Sequence, residues 1–212
     1  MYYAGKTLPQ HPIAFEEFNP DFMWQWVDEM ILPKLTSARH KLVTQNFIDH
    51  ARAEAQGNLE ALLATCSQKR EDYRQWGDGT DGLMEGIQPQ SYEELVEFYG
   101  NLMQLTLFAI HLEPEKFLVA DEVITLEGNV HQLYPGKLLP MLYDVEVDDP
   151  DAVYMLTVRM ALFFVFDEDG KGCGEQAYPN GSPPTADHFV KMPKEFVPQR
   201  FWDNLKKYPD VF

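Results

Sequence analysis

The spacing of apolar positions changes once along the chain. Up to about residue 105 it follows the roughly 3.6-residue period of helices, and beyond that it alternates from one residue to the next. Val43, Phe47, Ile48, Ala51 and Ala55 form the first clear stripe. It predicts a helix that Thr36 or Ser37 caps, that runs to about Gln56, and that Gly57 stops. Asn58 is placed to cap a short second helix, LEALLATC. EDYRQWGDGTDG reads as a strand entering a glycine-rich loop. Ser91 and Glu94 stand at capping-box spacing before a third helix that carries Leu95, Phe98, Leu102 and Leu105 inward. Then LFAIHLEPEKFLV, EVITLEGNVHQLY, YMLTVRMALFFVF and GCGEQAY read as four strands. Asp121 and Glu122 turn the first strand into the second, and residues 138–152 make a long acidic connection with the character of a flap. Helices first and an antiparallel run of strands later define an α+β class, with helices on one face of a curved sheet.

The acidic loop FDEDGKG between the last two strands has the look of a metal site. As a calcium loop opening at Asp167, its fifth position is Lys171 and its twelfth is Tyr178, where an oxygen ligand and a bidentate Glu are needed. As a phosphate cradle it lacks the Gly-Lys-Ser/Thr step and a following helix. Asp-Gly between two β-rich runs is a hairpin signal, so the loop reads as a turn.

The two ends differ from the middle. Residues 1–35 hold four prolines and the aromatic stretch FMWQWV, and read as an N-terminal extension with one short helix, packed on the body or on a second subunit. Residues 36–180 form the domain. The tail, 181–212, carries Phe189, Phe196, Phe201 and Trp202, too aromatic for a free linker, and is expected to lie on the domain as a candidate lid.

Composition narrows the partners. The 212 residues are 45% apolar and carry a formal net charge of −17. Such a chain repels nucleic-acid phosphates and anionic membrane surfaces. No apolar run reaches the ~18 residues of a membrane span, and the N-terminus lacks the apolar stretch of a secretory signal. Cys66 and Cys173 are the only cysteines, which argues against a disulfide framework or a structural zinc site and for a reduced, cytoplasmic setting.

The order of helix, Gly57-Asn58-Leu59 with a short helix, the DYRQW strand, a helix capped at 91 and four strands ending in FDEDGKG resembles the NTF2-like superfamily. Its SnoaL-like members include polyketide cyclases, and scytalone dehydratase is a relative. The resemblance covers roughly residues 36–180. It implies a sheet curled around the helices into a cone with an apolar pocket at its mouth, and dimerisation or higher homo-oligomerisation through the outer sheet face. DYR at 72–74 places Tyr73 where scytalone dehydratase has a carbonyl-polarising tyrosine. His111 falls in the place of a pocket histidine. HQLY at 131–134 looks like a second histidine, His131, followed by a glutamine and Tyr134. The acidic residue that orients the pocket histidine in related dehydrochlorinases falls near Arg52 here, and neighbouring Asp49 lies opposite the apolar stripe of its helix.

The chemistry this implies is modest in its needs. A base removes a proton next to a carbonyl, a donor stabilises the oxyanion, and an acid helps a leaving group depart. Histidine serves as both base and acid near neutral pH, and no cofactor or metal is required. The expected function is a cofactor-independent lyase of dehydratase type, releasing water or a small carbonyl such as formaldehyde from a hydrophobic aromatic small molecule. His111 would be base and acid, Tyr73 the oxyanion donor and His131 an assistant. Trp76, Asp78, Asp49, Arg159 and Tyr134 are the candidate substrate contacts. Each has a plainer reading. His111 shares a strand face with Ala109 and Glu113, and alternation alone does not say whether that face meets the pocket. His131 suits a rim position as well as a pocket one, and Tyr73 a core position. Trp76 and Asp78 suit a turn. Arg159, the one charge in its apolar strand, faces either a carboxylate of the fold or a polar ligand. An isomerase or polyketide cyclase in the same pocket, or a binding and dimerisation module, are the rival functions. The discriminator is whether Tyr73 and a histidine converge to within about 3 Å of one ligand atom.

Overall fold

Seven strands form one sheet in the computed structural model, which describes residues 1–75, 88–181 and 184–208. They are β1 (Tyr2–Ala4), β2 (Arg74–Gln75), β3 (Ile110–Val119), β4 (Val123–Pro135), β5 (Val153–Phe166), β6 (Gly172–Pro179) and β7 (Phe189–Met192). Their order across the sheet is β1-β3-β4-β5-β6-β2, with β7 paired to the first residues of β5. All neighbours are antiparallel except β2 and β6. The four long strands are those that alternation predicts. Added to them are two short edge strands from the chain's ends, β1 and β7. The helices are α1 (Phe22–Trp26), running on into a π-helical turn at Val27–Ile31, α2 (Ala38–Ala55), α3 (Leu59–Leu63), α4 (Tyr92–Gln104), α5 (Leu139–Tyr143) and α6 (Gln199–Lys207). No helix among the described residues is long and apolar enough to cross a membrane.

Local chemistry sets the boundaries. The Ser37 hydroxyl accepts from the His40 amide at 3.3 Å and opens α2, which Gly57 closes at φ +64°. Asn58 caps α3 through the Ala61 amide, and Ser91 caps α4 through the Glu94 amide. The Glu94 carboxylate reaches back to the amide of Gln90, one residue before the cap. Between β5 and β6, one Asp167 oxygen accepts from the amides of Asp169 and Lys171 at 2.9 Å each, and Gly170 takes φ +79°. The acidic loop is therefore a hairpin turn held by its own first aspartate.

The face of the sheet toward α2 carries Leu112, Phe117, Ile124, Leu126 and Val130 against Val43, Phe47 and Ile48. Alternation puts His111, Glu113, Asn129, His131, Thr157 and Arg159 on the opposite face. That face is covered too. Leu133, Val153 and Met155 pack under Ile13 and Phe18 from the N-terminal segment and under Phe201 of α6. The extension belongs to the fold of its own chain: Val27 and Ile31 are 0% and 1% exposed, and each such burial is worth about 2 kcal/mol. The tail likewise lies on the domain, with Asn204 bonded to the Met103 carbonyl at 2.6 Å and Arg200 paired to Asp21 at 2.9 Å. The 138–152 connection folds into α5 and packs Leu139 and Val145 beside Tyr134 and Tyr154.

Candidate active site

A polar cluster lies inside the fold, where α2, α3 and α4 meet β6. His50 belongs to the buried stripe of α2, three residues after Phe47 and seven after Val43. Tyr99 belongs to that of α4, between Leu95 and Met103. Glu175 on β6 pairs in register with Phe164, whose ring packs on Phe47 of the helix-bearing face. Tyr73 precedes β2, and its partner strand lets it approach because residue 174 is glycine. A Cβ there would lie 2.3 Å from the Asp72 carbonyl oxygen.

The other three side chains converge on the Tyr99 hydroxyl. It donates to Glu175 Oε1 at 3.0 Å and lies 3.2 Å from His50 Nε2 and 3.4 Å from the Tyr73 hydroxyl. His50 Nε2 is itself 3.3 Å from Glu175 Oε1. The other ring nitrogen, Nδ1, meets the Thr65 hydroxyl at 2.8 Å. Burial disfavours the His50 imidazolium, but the Cys66 sulfur and the Glu175 carboxylate favour it more, so its pKa is held well above 6.5. Burial, reinforced by nearby negative charge, pushes the Tyr73 and Tyr99 hydroxyls well above 10, so both stay protonated donors. Glu54, one helical turn beyond His50, is raised to about 7 by burial and by Glu175, with His50 pulling the other way. The Glu175 side chain keeps 32% of its surface accessible, against 9% for His50, so the carboxylate is the group a ligand can reach. Ile110, Val158, Met160, Leu162 and Phe164 share this sheet face and are half-buried, packed against the core rather than exposed.

The opposite face holds the second cluster. His111, His131 and Thr157 form one cross-strand row. His111 and His131 meet edge to face at 5.7 Å between ring centres. His131 bonds Thr157 Oγ1 at 2.8 Å through Nδ1 and Glu113 Oε2 at 2.9 Å through Nε2. His111 Nδ1 accepts from the Asn19 amide at 3.0 Å, and Phe22 stacks on its ring at 4.9 Å. Burial and then His131 lower the His111 pKa to about 4, against a smaller pull from Glu113. Burial likewise lowers His131, with Glu113 opposing. The N-terminal segment seals this cluster. Arg159 donates to the Leu8 carbonyl at 2.8 Å, Asn129 to the Pro9 carbonyl at 3.0 Å and Gln10 to the Thr157 carbonyl at 3.3 Å.

The structure thus brings His111 and His131 together but separates them from Tyr73 by the sheet. Tyr73 reaches a histidine only through the Tyr99 hydroxyl, and that histidine is His50. Arg159 answers to carboxylates of the fold, Glu115 and, at 2.6 Å, Glu127, on the sealed face. Asp49 is half-exposed on the far side of α2, accepting from Gln45 at 3.1 Å and facing Arg52 at 3.7 Å, away from both clusters. Tyr134 is on the helix-bearing face, buried, with its hydroxyl bonded to Gln132 at 2.6 Å and to Tyr143 at 2.9 Å. Trp76 and Asp78 lie outside the described residues. Sequence reasoning missed His50, Tyr99 and Glu175. The helical spacing of His50 from Val43 and Phe47 was the signal for it, and Tyr99 stands four residues after Leu95, also a helical interval. Among the described residues, no group of three or more His, Cys, Asp or Glu side chains is arranged to hold a metal ion.

A curved antiparallel sheet with helices on one face gives the chain the NTF2-like fold. A candidate SnoaL-like polyketide cyclase from Shewanella putrefaciens is similar at a TM-score of 0.50, with 10% identity, over 72% of this chain and 86% of that one. An NTF2-like protein from Anabaena variabilis is similar at 0.46, with 14% identity, over 72% and 98%. TerC, crystallised with polyporic acid, is similar at 0.45, with 10% identity, over 66% and 92%. No protein-family model and no curated protein matches the sequence. Likeness at this level is likeness of fold, and function has to be argued from the side chains.

Proposed function

We propose that the protein is an acid–base enzyme acting on a small molecule with an apolar, aromatic body, and that its reaction is an elimination next to a carbonyl. The observation that carries this is the convergence of His50, Glu175 and Tyr73 on the Tyr99 hydroxyl. A carboxylate beside an imidazolium supplies a base and an acid at the same pH, as an elimination requires. The accessible Glu175 carboxylate takes the proton from the carbon next to the carbonyl. The Tyr73 hydroxyl donates to the oxygen on which charge develops. For loss of water, His50 gives its Nε2 proton to the departing hydroxyl; for release of a small carbonyl, Glu175 instead takes the β-hydroxyl proton, the carbon–carbon bond breaks as that oxygen becomes C=O, and His50 protonates the enolate carbon left behind. The half-buried apolar residues on β3 and β5 give this sheet face an apolar character that suits a hydrophobic ring system.

A second reading, isomerisation or ring closure, draws on the Tyr99 bridge between His50 and Glu175. A proton taken by the carboxylate can return through that bridge to a second carbon, with no net loss of mass. The test is turnover of a panel of phenolic and β-hydroxyketone compounds by wild type, Glu175→Gln and Tyr73→Phe, with products identified by mass. Loss of water or formaldehyde in wild type, at least about a hundredfold slower in both variants, is expected for general acid–base roles of this kind. A product of unchanged mass selects the isomerase. Binding without turnover by wild type refutes the enzyme and leaves a binding module.

A further inference from the structure

His50 can act as an acid through Nε2 alone only if Nδ1 keeps a hydrogen of its own, and the surrounding bonds decide that. Thr65 follows α3 and is 8% exposed. Its hydroxyl oxygen lies 2.6 Å from the Leu62 carbonyl oxygen and 2.8 Å from His50 Nδ1. A carbonyl only accepts, and a hydroxyl carries one proton. The Thr65 proton therefore goes to Leu62, and Thr65 meets His50 as an acceptor. His50 Nδ1 must then carry a hydrogen in both the neutral and the charged ring. Nε2 is left as the nitrogen that gains and loses the proton, and it is the one facing Tyr99 and Glu175.

We propose that Thr65 is a positioning residue: it fixes the His50 tautomer so that every proton the ring exchanges passes through Nε2, on the side of Tyr99 and Glu175. This rests on the proposed catalytic role of His50 only for its effect on turnover. The tautomer itself is a property of the folded protein. Were the Thr65 hydroxyl absent, Nδ1–H would lose its buried acceptor, and the ring would gain by moving its proton to Nε2, where Glu175 and Tyr99 oxygens accept. The neutral ring would then present no lone pair to the site.

The test uses the full chain labelled with 15N at histidine, in wild type, Thr65→Val and Thr65→Ser. Valine keeps the shape of threonine without the hydroxyl, and serine keeps the hydroxyl. In wild type the His50 nitrogen shifts are expected to show Nδ1 protonated throughout, with Nε2 titrating. In Thr65→Val the neutral tautomer should swing toward Nε2–H and the His50 pKa should fall by about one unit, as expected for losing one hydrogen bond to a charged group. Thr65→Ser should restore both. On a turned-over substrate, Thr65→Val should lower kcat about tenfold or more with little change in KM, and shift the pH profile with the measured pKa. Unchanged His50 nitrogen shifts in a folded Thr65→Val protein would overturn the inference. A swung tautomer with unchanged turnover would uphold the positioning by Thr65 and count instead against His50 as the acid.

Discussion

Replacing His111 with asparagine isolates the cost of burying a neutral histidine under the N-terminal segment. Asn Oδ1 occupies much the same place as His Nδ1, so the bond from the Asn19 amide can be kept, while the titrating ring is removed. In the native protein His111 binds its proton near pH 4, whereas a free histidine binds it near 6.5. Above pH 6.5 both states are neutral at this position and folding is not penalised. As pH falls from 6.5 toward 4, the unfolded chain gains a proton that the folded chain refuses, and stability is lost. The linkage relation gives a loss of about 2 kcal/mol by pH 5 and about 3 kcal/mol by pH 4 from this one ring. The variant should start less stable at pH 7, because the Phe22 stacking is gone, but its stability should fall less steeply with acid. Urea unfolding at half-unit steps from pH 7.5 to 4.5, read by tryptophan fluorescence, measures the difference. Parallel stability curves for the two proteins would refute the reasoning and place His111 in contact with water or with a stronger negative partner.

Three further outcomes follow from the same structure. Gly128→Ala would set a Cβ 1.9 Å from the Glu113 carbonyl oxygen at the bulge between β3 and β4; the backbone must move, and thermal unfolding should show a loss of several kcal/mol, on the order of the larger overpacking penalties. Ser37→Ala removes the cap of α2 and should cost about 1 kcal/mol in chemical unfolding. Arg159→Met leaves Lys116 as the one cation facing both Glu115 and Glu127 and frees the Leu8 carbonyl; limited proteolysis should then cut within residues 5–20 markedly faster than in wild type.

The helices and long strands were legible because each is set by local rules. The apolar stripe, the caps at Ser37, Asn58 and Ser91 and the period-2 runs are all written within a dozen residues. The short strands β1 and β7 were not legible, since three and four residues carry no period and their pairing comes from distant chain. The face of β3 was undecidable for a related reason. In a sheet covered by helices on one side and by its own chain ends on the other, both sets of alternate residues are buried, and alternation loses its contrast. His111 consequently looked as well placed for the interior as Ile110. His50 was hidden differently: in a stripe of Val43, Phe47, Ile48 and Ala51, a histidine reads as an interruption, though its spacing is that of the buried positions. Glu175, by contrast, is one acid among many in an acidic chain, and only the register of β6 against β5 turns it inward.

The central claim is that proton chemistry belongs to the interior histidine and not to the histidine pair under the N-terminal segment. The most direct measurement compares turnover by His50→Gln and His111→Asn, both shown folded by circular dichroism, on any substrate that wild type converts. The account predicts that His50→Gln loses activity by at least about a hundredfold while His111→Asn keeps nearly all of it at pH 7.5. Loss of activity in His111→Asn with His50→Gln unaffected would contradict it and move the site to the other face of the sheet.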